Sequence, residues 1–196
     1  MRFFILSICF TFFVNISYTE EQTELEKFSA KTGIVKIMGY TDGGKILAGN
    51  YSYSNYISFQ ARILGTPQNP ESTKGILITV ADKDGYSGRS FVDEDEIDDL
   101  ISGIEYISKA TKDITSLENF EIDYSTLGDF EVTVYNLNDG SLGLSVQSGS
   151  RSVRPSFDSI ALIIEKLKES KALLNWVNRK VRLIESSMRK KNTSIF

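Results

Sequence analysis

Histidine is absent from the 196 residues and cysteine occurs once, as Cys9. Without an imidazole the chain cannot build a Ser-His-Asp triad or a histidine-ligated zinc site. Cys9 lies inside an N-terminal apolar run, so the chain after that run has no thiolate nucleophile and no disulfide. Proline is also scarce, with 3 residues, so few breakers interrupt the regular elements. An excess of positive charge is missing too: 22 Lys and Arg face 26 Asp and Glu, for a net charge of −4. Phosphate contacts need a concentrated basic surface, and this balance speaks against nucleic acid as a partner.

What is present suits a globular chain, with 41% apolar and 24% charged residues, and 12 Phe and 9 Tyr that lean toward strands. Residues 1–19 carry one charge, Arg2, then the apolar run Phe3–Val14, then the polar stretch Asn15 to Thr19. Those three parts match a secretory signal peptide, and the run is shorter than the roughly 20 residues of a membrane-spanning helix. The expectation is cleavage near Ser17 or Thr19, a mature chain of net charge −5, no transmembrane segment after cleavage, and a secreted or periplasmic address.

Residues 20–32 read as a polar lead-in, and 33–175 as an α+β domain. Gly33 to Met38 reads as a strand ending in a hairpin at Asp42-Gly43-Gly44. Strands follow at Lys45 to Tyr53, Tyr56 to Leu64, Lys74 to Ala81 and Tyr86 to Val92, with a loop at Thr66 to Thr73 and a turn at Asp84-Gly85. The period then changes. Ile97, Leu100, Ile101, Ile104 and Ile107 recur at helical spacing behind Asp93-Glu94-Asp95-Glu96, in which Asp93 and Glu96 stand as in a capping box.

Four more strands are expected at Asn119 to Ser125, Asp129 to Asn136, Ser141 to Ser148 and Arg151 to Ser156, with turns at Gly128-Asp129 and Asn138-Asp139-Gly140. A long C-terminal helix follows from Asp158, with Ile160, Ile163, Ile164, Leu167, Leu174, Val177, Val181 and Ile184 on one stripe. Four strands and a helix thus occur twice, over 45–110 and 119–175, after one extra strand, which suggests a duplicated β4α unit. Such units give antiparallel sheets that each cover an apolar face with a helix.

This element order is similar to the fold shared by the Whirly, PC4 and PUR-type single-strand DNA-binding proteins. The resemblance is one of order alone, and no residue of this chain takes a role from it. Ser90 to Ile107 followed by Asn119 to Tyr135 resembles a loose group of short exported bacterial proteins. These pair a D-E-I-D-x-L-I-x-x-I-x-Y-I helix with an F-x-x-x-Y-x-T-x-G-D-F hairpin. That likeness covers roughly residues 75–136 and implies an exported β-rich architecture, with no chemistry attached.

The run Asp93 to Asp99, with Asp82 and Asp84, has the oxygens that Ca²⁺ wants, but Gly85 directly follows Asp84 and no glutamate falls at the twelfth loop position. A solvated helix start is the simpler reading. Glycoside hydrolysis needs only two carboxyl groups, which Glu121, Asp123, Asp129 and Glu131 could supply across a hairpin. Tyr51, Tyr53, Tyr56 and Phe59 could stack on a sugar, or simply pack as strand residues. Asn50 and Asn192 begin glycosylation sequons.

The C-terminal segment 176–196 carries Arg179, Lys180, Arg182, Arg189, Lys190 and Lys191 beside Trp176, Val177, Val181 and Ile184. A basic, apolar-striped segment of this kind suits an anionic membrane surface or a protein partner's groove. Helical from Asp158 to Lys190, it would span about 50 Å and outrun a small domain. The sequence therefore nominates no catalytic residue, cofactor ligand or metal ligand. It points to a non-enzymatic binding or interaction module, with a carboxylate-dependent saccharide hydrolase and single-strand nucleic-acid binding as the alternatives.

Overall fold

The computed structural model describes residues 21–49 and 55–175. They form an α+β fold of two four-stranded antiparallel sheets and three helices. The order is α1 (Glu24–Ala30), β1 (Ile37–Leu47), β2 (Tyr56–Gly65), β3 (Thr73–Ala81), β4 (Ser87–Asp93), α2 (Ile97–Ile107), β5 (Glu121–Ser125), β6 (Phe130–Asn136), β7 (Leu142–Ser148) and β8 (Arg151–Val153). A third helix, α3, is described over 159–175. Each sheet is a simple meander, β1-β2-β3-β4 and β5-β6-β7-β8, and each is followed by a helix.

Alternation in β2 decides which face of the first sheet is buried. Ile57, Phe59, Ala61 and Ile63 point one way, opposite Val80, Ile78 and Ile76 of β3, and all are buried. This face shares one continuous core with Ile97, Leu100 and Ile104 of α2, with Ile163, Leu167 and Leu174 of α3, and with Phe130, Val132, Val134, Leu144 and Val146 of the second sheet. β3 reads Gly-Ile-Leu-Ile without alternation because its other face is covered as well. There Leu25 and Phe28 of α1 pack with Leu64 and Phe91.

The lead-in is therefore more than a polar spacer. Thr23 and Glu26 form a capping box at its start, and burying Leu25 and Phe28 contributes about 3–6 kcal/mol. A seven-residue helix has too few turns to persist alone, so this docking is what holds α1.

The sheets meet where side chains vanish. A Cβ on Gly88 of β4 would stand 1.8 Å from the Ser148 carbonyl oxygen, and one on Gly128 would stand 2.0 Å from that of Phe91. The buried Ser148 hydroxyl lies 2.8 Å from Ser90 Oγ and 3.2 Å from the Ile78 carbonyl, which satisfies the polar groups enclosed at the junction. The turns follow the sequence signals. Gly85 and Gly140 take positive φ, Asp129 adopts φ 58°, and Asp82 Oδ1 accepts from the Asp84 and Tyr86 amides.

Two expectations fail. Asp42-Gly43-Gly44 makes no hairpin. Asp42 pairs with Gln60 and Gly44 with Phe59, so Gly43 is the extra residue of a β-bulge inside one continuous strand. A Cβ on Gly43 would lie 2.1 Å from Ser170 Oγ, so the glycine serves the close passage of α3 rather than chain reversal. The reversal comes later. The Ala48 amide donates to the Asn55 carbonyl at 2.9 Å, and positions 50–54, with Tyr51 and Tyr53, lie outside the described residues. The supposed extra strand and its successor are thus both parts of β1, and the first sheet has four strands.

The second failure is the capping box at α2. Glu96 occupies the N-cap but makes no side-chain cap bond there. Asp93 instead accepts from the Glu24 amide at 2.6 Å and the Leu25 amide at 3.1 Å, so its carboxylate caps α1. Charge at a helix start was read correctly, and assigned to the wrong helix.

Candidate interaction surface

Trp176 and the basic residues Arg179, Lys180, Arg182, Arg189, Lys190 and Lys191 lie outside the described residues, as do residues 1–19, expected to be a signal peptide, and Asn50 and Asn192. What is described is the place from which that segment departs. α3 runs back along β1. Its Lys166 side chain crowds Gly44, Ser170 crowds Gly43, and Leu174 closes a cavity of about 170 Å³ with Gly39, Tyr40, Thr41, Ala61 and Ile63. Lys171 to Asp98 and Lys168 to Glu105 ion pairs bind α3 to α2.

Beside this helix end, β1 is an edge strand whose one neighbour among the described residues is β2. From Ile37 to Asp42 every residue is exposed, on both faces. Val35 is 69% exposed, Met38 54% and Tyr40 67%, and Ile34 and Ile37 are exposed as well. A long edge with apolar side chains and free backbone groups is what soluble proteins ordinarily avoid, and a contiguous apolar strip marks a contact surface. Sequence reading missed this strip. Ile34, Val35, Ile37, Met38 and Tyr40 do not alternate, and such a run is read as buried on both sides.

A second feature is acidic. Glu21, Glu24, Asp93, Asp95, Glu96 and Asp99 surround Lys27 in a hollow of about 440 Å³ between α1 and α2. Its carboxylates already have work: Asp93 caps α1, and Glu96 accepts from the Leu127 amide at 2.8 Å. Among the described residues no group of three or more side chains is arranged to hold a metal ion. Asp82 pairs with Arg151 across the sheet junction.

Burial holds the Glu96 carboxyl above its ordinary value of 4.5, against the Leu127 bond and with help from Asp93, Asp95 and Asp99. Its folded-state pKa exceeds the unfolded one, so its contribution to stability is fully present below about 4.5 and is lost as pH rises through the shifted value. Glu96→Gln keeps an acceptor for Leu127 and removes that loss. Urea midpoints taken across pH 4–7 (roughly the carboxylate range) should fall less toward neutral pH in the variant than in the parent. Parallel pH profiles would assign the slope to other groups.

The carboxylates considered for hydrolysis lie on the β5–β6 hairpin, with Glu121, Asp123 and Glu131 on one face. Glu131 accepts from the Ser125 and Thr133 hydroxyls, each at 3.1 Å, Asp123 pairs in register with Thr133, and Glu121 with Tyr135. None of them, nor Asp129, lines the hollow between α1 and α2 or the cavity closed by Leu174. The tyrosine platform is incomplete. Phe59 is fully buried in the core and cannot stack on a ligand, and the Tyr56 ring carries the Lys45 ammonium 3.5 Å above its centre. No helix among the described residues is long and apolar enough to cross a membrane.

Comparison with protein-family models, with curated proteins and with solved structures gives no match.

Proposed function

We propose that this protein is an exported, non-enzymatic interaction module, whose contact surface is the apolar edge of β1 together with the basic segment 176–196. The observation that carries the reading is the exposed strip from Ile34 to Tyr40, which borders the point where α3 delivers the chain to Trp176. The rest of the fold supports it as a scaffold. One core locks both sheets to α2 and α3, so the edge is presented on a rigid body. The segment beyond supplies six cations and an apolar stripe, a combination suited to a protein groove or an anionic bilayer. Export rests on the three-part leader in residues 1–19.

The test is removal of 176–196. The shortened chain should keep the parent's circular dichroism and lose its co-sedimentation with host membranes and its partner proteins in pull-down from the native host. Unchanged co-sedimentation and pull-down with the segment gone would overturn the reading. Intact mass of the protein from its host checks the address, with loss of about the first 19 residues expected.

A further inference from the structure

We infer that β1 pairs with β1 of a second copy, antiparallel about Gly39, joining two first sheets into one of eight strands. The inference rests on the interaction-module reading and names the occupant of the β1 edge.

The register follows from charge. Between Gly33 and Gly44 the only charged residues are Lys36 and Asp42. Placing the two-fold axis at Gly39 sets Lys36, the residue just before β1, opposite the partner's Asp42, twice over, with Ile37 facing Thr41 and Met38 facing Tyr40. Shifting the register by a residue in either direction leaves both charges without their opposite. Directly opposed unlike charges stabilise a pair of strands, and Met38 and Tyr40, both largely exposed in one copy, would cover each other as sulfur and ring. Lys36 donates to the Ser29 carbonyl and Asp42 Oδ1 accepts from the Gly44 amide. An ammonium has two further donors and a carboxylate a second oxygen, so both retain capacity for a partner. The bulge at Gly43 ends the regular edge at Asp42, which limits pairing to about seven residues and fixes its extent.

The helices also fit. In an antiparallel pair the two-fold axis stands perpendicular to the sheet, so both copies of α3 lie on the same face. Leu174 sits over Gly39 and Thr41 of β1 and Ala61 and Ile63 of β2, about one strand spacing, ~4.8 Å, from that axis. The two helix ends then stand about 10 Å apart, which is the spacing of packed helices. Both basic segments leave from one face and present a doubled surface, so avidity would strengthen their contact with a bilayer or a partner.

The chain allows a clean test. It has no cysteine besides Cys9, and a Cβ at Gly39 meets nothing closer than the Ile63 carbonyl at 4.0 Å. In a Cys9→Ser background, Gly39→Cys should form a disulfide-linked dimer under mild oxidation, because paired strands bring the two Cα atoms to about 4.5–5.5 Å. Asp84→Cys, on an exposed turn, should not. Light scattering of the purified protein should give twice the chain mass. Lys36→Asp should weaken association about tenfold by setting like charges opposite each other, and adding Asp42→Lys should restore it. A monomer at all concentrations, with Gly39→Cys linking no faster than Asp84→Cys, would overturn the inference. So would a dimer insensitive to Lys36→Asp, or one that disappears when 176–196 is removed while Gly39→Cys fails to link, since another surface would then be responsible. A monomer that still loses its membrane or protein partner with 176–196 removed would sink the pairing alone and leave the interaction-module reading in place.

Discussion

Gly88→Ala is expected to cost about 3 kcal/mol of stability, or to prevent folding, although the change adds one methyl group to a strand. The methyl would sit 1.8 Å from the Ser148 carbonyl oxygen, 2.9 Å from its carbon and 3.1 Å from the Arg151 Cβ. Two of those atoms are backbone, held in the β7–β8 hairpin by pairing of Ser148 with Arg151, so no rotamer change makes room. Relief requires the sheets to part, which would open the buried contact of Ser148 with Ser90. Urea unfolding measures the loss, and for a chain of this size the thermal midpoint should drop by about 10 °C. Gly85→Ala is the matched control. Gly85 has φ +80° with nothing within 4 Å, so its alanine variant meets backbone strain without a clash and should lose about 1 kcal/mol. Equal losses at the two sites would mean that the sheets do not meet as closely as the geometry has them.

The second large effect concerns cooperativity. Phe130→Ala removes a fully buried ring from β6 and should destabilise by about 3–5 kcal/mol. More telling is the shape of the transition. Phe130 belongs to the same core as Phe59 of the first sheet and Ile104 of α2, so the loss should shift one transition seen identically by far-UV dichroism and tyrosine fluorescence. Two β4α units that folded independently would instead give two transitions, with only the later-sequence half displaced. That outcome would contradict the single core.

The close approaches at Gly88, Gly128 and Gly43 have a common origin. Gly88 occurs at an unremarkable place in the sequence, Gly128 reads only as a turn residue, and Gly43 beside Gly44 looks like a hairpin. What gives each its importance is another segment's backbone or a helix arriving from more than 35 residues away. Asp93 is a similar case. Its carboxylate begins the stretch that leads into α2, and it spends its hydrogen-bonding capacity on α1, 68 and 69 positions earlier. Local pattern can supply the residue type and the need it serves, but not the partner.

The candidate surface divides the same way. Residues 176–196 are conspicuous in sequence for their charge and stripe. The β1 edge is not, because an apolar run carries no mark of whether both of its faces will be covered. Coverage is decided by neighbours: β3, with a similarly apolar run, is central and lies under α1, whereas among the described residues β1 has β2 on one side alone.

By itself the sequence determined the strands from β2 onward, α2 and the described span 159–175 of α3, the turns at Asp84-Gly85, Gly128-Asp129 and Asn138-Asp139-Gly140, and the exclusion of histidine chemistry. Those follow from side-chain periodicity, turn stereochemistry and composition, which act over a few residues. Only the tertiary structure decided that Gly43 is a bulge, that Asp93 serves α1, that the lead-in docks as a helix, and that Ile34 to Tyr40 lies bare on an edge. Each of these depends on which distant segment comes to rest against the residue, and contact between segments far apart in the chain is settled by the packing of the whole core.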